Sequence, residues 1–127
     1  MRMLLTGIVL LGLVGSAHAA SITRGTHTGT DGKTYTDIII KGEIKFENEK
    51  TFYDLAHSVE ASIPDNQVMV ELDSPGGNVL AGLHIAEKIH QKGWPTWVPK
   101  ETLCSSICGA IWLSGVARWS TNSSLIH

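Results

Sequence analysis

Apolar and polar positions change period several times along the chain, and each change predicts an element. After Met1-Arg2-Met3 an uncharged, largely apolar run extends from Leu4 to Gly15 and gives way to Ser16-Ala17-His18-Ala19-Ala20. From Ser21 to Thr36 the pattern dissolves into Thr, Gly and charge, with Thr30-Asp31-Gly32-Lys33 as a turn signal, so this stretch is a loose arm or a small hairpin. Asp37-Ile38-Ile39-Ile40-Lys41-Gly42-Glu43-Ile44 is a β-branched run closing near glycine, the mark of a buried strand. Asn48 is placed to cap a helix whose Phe52, Leu55, Ala56, Val59 and Ile63 share one face, and Pro64-Asp65-Asn66 stops it.

The same design then recurs. Gln67–Leu72 reads as a strand, Ser74-Pro75-Gly76-Gly77 as a turn, and Val79 to Gln91 as a helix that turns Gly82, Ile85, Ala86 and Ile89 to one side. Gly93 and Pro95 end that helix. Thr96–Pro99 is a short strand, Cys108–Leu113 an apolar helix ending near Gly115, and Ser124–Ile126 a last strand. Strands alternating with helices require parallel crossovers, so the fold class is α/β with a mainly parallel sheet. Residues 37–127 then form one domain preceded by an arm over 20–36.

The opening run matches a secretory signal peptide over residues 1–19, because Ala17 and Ala19 occupy the small-residue cleavage positions. It is too short for a membrane span, which needs about 20 apolar residues. The mature chain is therefore expected in the periplasm or outside a bacterial cell, with no stable membrane span after cleavage. A formal charge of −2, from 10 Lys and Arg against 12 Asp and Glu, comes with no basic stripe, so nucleic acid is not an expected partner. Cys104 and Cys108, in an oxidising compartment, form either a disulfide or two small buried thiols. In a regular helix their Cβ atoms stand wider than the usual ~3.8 Å, so a bridge demands a non-helical start to the segment. Two cysteines without a second ligand pair make no zinc site, and no metal or cofactor is expected.

Three places carry candidate chemistry. Ser74-Pro75-Gly76-Gly77 fits a type II turn, with Gly76 at the position needing positive φ and Gly77 offering an unshielded N–H at the carboxyl end of a parallel strand. Such an N–H can hold an oxyanion, although a Pro-Gly turn alone is equally an ordinary turn. Ser106, at the mouth of an apolar helix beside the Ile107 N–H, is either a nucleophile or a plain N-cap, and Ser105 is equally available on this ground. His127 follows the apolar pair Leu125 and Ile126 and should stand at the end of a buried strand, where neutral imidazole can accept a proton. His57, His84 and His90 read as surface or packing residues without partners, and His27 carries no signal.

Taken in order, the strand ending Leu72-Asp73-Ser74-Pro75-Gly76-Gly77-Asn78-Val79, the turn Cys104-Ser105-Ser106-Ile107-Cys108, the apolar run to Gly115-Val116-Ala117-Arg118 and the closing Ile126-His127 resemble the ClpP/crotonase superfamily. The likeness is to its secreted ClpP-like serine peptidases and covers about Ile38 to His127. It implies repeated β-α-β units, a peptide or protein substrate, and an architecture compatible with homo-oligomers. It also selects Ser106 over Ser105 as nucleophile, makes His127 the general base, and assigns the backbone N–H groups of Gly77 and Ile107 to the oxyanion hole.

The resemblance also defines what is missing. In the Clp protease an Asp downstream of the histidine completes the triad, whereas Asp37, Asp54, Asp65 and Asp73 all precede His127. The helices and strand that follow this histidine in the family are absent too, so the domain is expected to be a C-terminally truncated part of a longer protease-like chain, one that hydrolyses peptide bonds through an acyl-enzyme on Ser106 when complete. The alternative is a non-catalytic peptide-binding or scaffold domain on the same fold. Crotonase-type acyl-CoA chemistry is disfavoured by the signal peptide, since CoA substrates are largely cytosolic.

Overall fold

The computed structural model of the chain describes residues 18–127. The expected signal segment lies outside the described residues except for His18 and Ala19, which precede the first strand. A five-stranded sheet forms the centre in the order β1 (Ser21–Thr28), β2 (Thr34–Lys41), β3 (Val68–Asp73), β4 (Thr96–Val98) and β6 (Arg118–Ser120). All neighbours are parallel except the β1–β2 hairpin. Helices α1 (Asn48–Glu60), α2 (Val79–Lys92) and α3 (Ile107–Leu113) join them, with a short 3-10 turn at Asp65–Gln67. A second, two-stranded parallel sheet pairs β5 (Leu103–Cys104) with β7 (Leu125–Ile126). The fold is thus mixed α/β with a mainly parallel sheet. Among the described residues no helix is long and apolar enough to cross a membrane.

The alternation in β3 shows why this sheet forms: Val68, Val70 and Leu72 point to the buried side, while Met69, Glu71 and Asp73 stay half-buried on the other. They meet Ile38 and Ile40 of β2, Phe52, Ala56 and Val59 of α1, and Ile85 and Ile89 of α2, all but lost to solvent. Each fully buried side chain of this kind stabilises the fold by roughly 1.5–3 kcal/mol. Asn78 caps α2 by accepting from the Ala81 N–H at 2.9 Å, and Gly93, at φ 65°, ends it.

Several expectations need correction. The stretch before residue 37 takes the hairpin alternative rather than the loose arm, but its pairing runs on from Thr28↔Thr34 to Ser21↔Lys41, so position 37 lies inside β2 and β1 is the sheet's edge strand. Asn48 does not cap α1. Glu47 holds the cap position without a side-chain bond, and the buried Asn48 amide instead accepts from the Lys45 and Ala20 N–H groups and donates to the Ala20 carbonyl. A side chain that satisfies three backbone groups of two separate segments does more for the fold than one cap bond. The last strand is not buried: Leu125 is exposed and Ile126 half-buried, because β7 pairs with β5 outside the central sheet. The short strands β5 and β6 carry too little periodicity to be read from sequence. His57 does have a partner, bonding Glu60 Oε1 at 3.1 Å, and His84 Nδ1 lies 2.7 Å from Glu49 Oε1, within ion-pair distance but without hydrogen-bond geometry.

Candidate functional site

The Ser74–Asn78 turn leaves the carboxyl end of β3 and is stitched on both sides. On one side the Ile44 N–H donates to the Gly76 carbonyl at 2.8 Å, and the Asn78 N–H donates to the Ile44 carbonyl at 2.7 Å. On the other, the Ser74 N–H donates to Leu103 O at 2.6 Å and Ser74 O accepts from the Ser105 N–H at 3.1 Å. This departs from the expected type II turn, in which Ser74 O would accept from the Gly77 N–H. With Ser74 O engaged by Ser105, the turn is braced instead by the buried Ser74 hydroxyl, which accepts from the Gly76 N–H at 3.1 Å. The Gly77 N–H, on an exposed residue, is left without a partner among the described residues.

Glycine is required at both positions. At Gly77, φ 141°, a Cβ would sit 2.1 Å from the Ile44 carbonyl oxygen. At Gly76, φ 96°, it would sit 2.7 Å from Ser106 Cβ and 3.2 Å from the Ile107 nitrogen. The second contact shows what the turn abuts: the bare backbone of Gly76 lies directly against the Ser106–Ile107 segment.

Ser106 itself is held at φ 57°, ψ −130°, a conformation L-residues rarely adopt and that costs on the order of 1–3 kcal/mol. Its carbonyl accepts from the Gly109 N–H at 2.9 Å, so it opens α3, while its hydroxyl caps nothing and faces outward on an exposed residue. The N-cap reading of Ser106 therefore lacks its defining bond. Ser105 differs, since its hydroxyl donates to Pro75 O at 3.0 Å. Ile107 is the first residue of α3, where a helix leaves its N–H groups unpaired, and no bond from it is made among the described residues. Gly82 of α2 fixes the depth of this corner, because a Cβ there would lie 2.3 Å from Ile107 Cγ1.

Cys104 and Cys108, both fully buried, are joined by a disulfide with Cα atoms 5.1 Å apart, bracketing Ser106. Cys104 belongs to β5, so the bridge runs from strand to helix across the non-helical start that such a bond needs.

His127 reaches the same place by way of β7. Its N–H donates to Cys104 O at 2.9 Å, and the bare Gly109 lets its carbonyl pass close over α3. Ser106 and His127 line one open cleft of about 290 Å³ with Gly109, Ala110, Trp112, Leu113 and Ile126. Neither the Ser106 hydroxyl nor the His127 ring makes a hydrogen bond among the described residues. Catalytic hydrogen bonds are often long before substrate binds, so a shared cleft is the informative datum.

No aspartate serves His127. Asp31 accepts from the Lys33 N–H at 3.0 Å and from the Tyr35 hydroxyl, Asp37 binds His27, Asp54 pairs with Lys50 at 2.6 Å, Asp65 accepts from Trp94 Nε1 at 3.0 Å, and Asp73 accepts from the Leu103 N–H at 3.2 Å. Among the described residues no cluster of His, Cys, Asp and Glu is arranged to hold a metal.

Sequence reasoning missed one polar cluster. His27 Nδ1 lies 2.8 Å from both Asp37 oxygens, stacked on Tyr35, on the side of the sheet away from the helices. Burial pushes the Asp37 carboxyl above the usual range, against the pull of His27, and burial together with Asp37's charge does the same to Glu71. The period-two alternation of two strands joined at Thr30–Lys33 was the available signal, since the turn sets their register. It lies among residues lining a different cleft from Ser106, with Trp97 and Trp119, and plays no part at the serine.

No protein-family model and no curated protein matches the sequence. The structure does match solved ones. A ClpP1 variant from Listeria monocytogenes is similar over 72% of this chain and 55% of its own, at 23% identity and a TM-score of 0.60. The 1510-N membrane protease specific for a stomatin homolog from Pyrococcus horikoshii is similar over 69% of this chain and 45% of its own, at 24% identity and a TM-score of 0.53. A mutant of 1510-N in complex with a substrate peptide gives 25% identity and a TM-score of 0.57, over 69% of this chain and 41% of that one. The fold is therefore that of the ClpP-like proteases, and the chain spans about half or less of the length of these proteins.

Proposed function

We propose that this ClpP-like fold carries the nucleophile corner of a serine peptidase. Peptide bonds would be hydrolysed through an acyl-enzyme on Ser106. One observation carries the reading: an exposed serine at a strained, positive-φ turn packs against Gly76, and the residues next to each of them, Ile107 and Gly77, carry backbone N–H groups with no partner among the described residues. Unpaired donors held by a fixed backbone suit an oxyanion hole, because they need not reorganise as charge develops.

In the proposed reaction the Ser106 oxygen attacks a peptide carbonyl carbon while His127 takes its proton. The carbonyl oxygen becomes an oxyanion held by Gly77 and Ile107. Collapse breaks the C–N bond and the amine leaves with the proton from His127; water, deprotonated by His127, then releases the acid. Residues 1–19 are read as a signal peptide that sends the protein to the periplasm. Whether copies of it assemble is left to sedimentation of the purified protein. Incubation with a fluorophosphonate probe tests the chemistry: labelling that disappears in Ser106→Ala is expected, and a folded chain that takes up no label overturns it.

A second reading, a peptide-binding domain without turnover, is favoured by a different observation: all five aspartates are engaged away from His127. Without an orienting acid a triad loses roughly 10⁴ in rate. Peptide binding that is unchanged in Ser106→Ala, with no labelling, selects this reading.

A further inference from the structure

We infer that the Cys104–Cys108 disulfide is a positioning element for Ser106: a covalent clamp that keeps the serine in its strained conformation. The inference rests on the serine-nucleophile reading for its catalytic consequence, but its structural basis is independent of it.

Ser106 is one of only two non-glycine residues at positive φ among the described residues, the other being Glu101 in an exposed loop. A conformation of this kind persists only where the surroundings over-determine it. On the helix side Ser106 is held by few hydrogen bonds, and the tie to the core is the packing of the buried Ile107 and Ile111 of α3, not a strand pairing. Helix α3 has seven residues, too few to be stable by itself, and its first turn holds the serine through the Gly109 N–H to Ser106 carbonyl bond and the Cys108 N–H to Ser105 carbonyl bond at 3.1 Å. On the strand side the anchoring is firm, because Leu103–Cys104 pairs with Leu125–Ile126 and bridges to Ser74. The disulfide joins the strand side to the helix side with Ser106 at the middle of the bridged segment, five residues from Cys104 to Cys108. If it opened, α3 could relax its first turn, and Ser106 could leave positive φ without breaking any strand pairing.

Both cysteines are fully buried, so a dithiol reductant would reach the sulfurs only after local opening. Such a reductant would give up two electrons and two protons, forming its own disulfide as the Cys104–Cys108 bond became two thiols. Burial makes the bond a standing clamp rather than a rapidly cycled switch.

The test compares the full chain with Cys104→Ala/Cys108→Ala, and with Cys104→Val/Cys108→Ala, which refills part of the vacated volume should the first variant fold poorly. Two readouts are taken on whichever variants unfold cooperatively. The first is fluorophosphonate labelling, resolved into probe affinity and maximal inactivation rate. We expect affinity within about twofold and a maximal rate lower by about 10²-fold, the size of loss that a misplacement of about 1 Å produces. The second is amide hydrogen exchange, in which the Gly109 amide reports directly on the Ser106 carbonyl. Exchange at Cys108 and Gly109 should quicken at least about tenfold, while amides of β3 and α2 stay protected as before.

Unchanged exchange at Cys108 and Gly109 overturns the clamp, as does a maximal labelling rate within twofold of the bridged chain. A rate loss matched by the unfolded fraction, with protection falling everywhere, also overturns it, because the bond would then be only a global staple. If the bridged chain takes up no label, the serine-peptidase reading fails, and the exchange readout still decides the clamp.

Discussion

Gly77→Ala tests the geometry of the turn most sharply, since its consequences are computable from the backbone. The new methyl would stand 2.1 Å from the Ile44 carbonyl oxygen, so the two must separate by at least about 1 Å to reach ordinary contact. Ile44 cannot simply yield. Its carbonyl accepts from the Asn78 N–H at 2.7 Å and its N–H donates to Gly76 O at 2.8 Å, so moving either strand breaks or stretches both bonds. At about 1 kcal/mol each, with about 1–3 kcal/mol for an alanine at φ 141°, the substitution should cost about 3–5 kcal/mol. That is a large share of the ~5–15 kcal/mol that holds a domain together. Urea unfolding followed by the fluorescence of the buried Trp94 measures it. Gly32→Ala is the control, because Gly32 has φ 78° with open space around it and registers strain alone. If Gly77→Ala costs no more than Gly32→Ala within about 1 kcal/mol, the close approach of Gly77 to Ile44 is wrong. On the peptidase reading, whatever folded Gly77→Ala remains should label about 10²–10³-fold more slowly, the loss expected for one oxyanion donor.

Three further outcomes follow from other parts of the molecule. Ser106→Gly should be more stable than Ser106→Ala by about 1 kcal/mol in thermal unfolding, since glycine relieves the positive φ, and neither should label; the reverse order of stability would argue against a strained serine. Asp65→Ala should cost about 1–2 kcal/mol in urea midpoint analysis, because it strips the acceptor 3.0 Å from the Trp94 indole N–H, and a neutral result would mean that water replaces it. Burial pushes the Glu60 carboxyl up, but hydrogen bonds from Lys92 and Lys88 outweigh it and hold it below the usual range. A depressed folded pKa means stabilisation that is present above the unfolded pKa and lost as pH falls through the folded one. Glu60→Gln should therefore cost about 0.5–1 kcal/mol at pH 7 and progressively less as pH falls below the unfolded pKa, vanishing once both states are protonated; a cost that grows on acidification would contradict the ion pairs.

Local pattern sufficed wherever one residue's neighbours in sequence decide its state. The period-two run into Leu72, the helical face of Ile85, Ala86 and Ile89, and the Gly93 stop all follow from side chains a few positions apart, so the mainly parallel α/β core was legible from the sequence. The order Gly76-Gly77, Ser106, His127 was legible too, along with a bridge between Cys104 and Cys108 as one of two readings. Asn48 shows the limit: its side chain is a good cap by type, but its partners at Ala20 are 28 positions away and outcompete the local role. His27 and Asp37 show the same limit from the other side, each unremarkable alone and paired only by the hairpin register.

The site's chemistry was decided almost wholly in three dimensions. Residue types alone left Ser105 and Ser106 equal, whereas the bond from Ser105 to Pro75 and the positive φ of Ser106 separate them. The Gly77 N–H has no partner among the described residues, while the Ser74 carbonyl that a type II turn would offer it accepts instead from Ser105, brought in by a strand 30 residues downstream. Hydrogen-bond donors are limited by what is already claimed, and in a folded chain most claims are made by distant residues. A sequence names the groups; the tertiary structure determines which of them are left free to act.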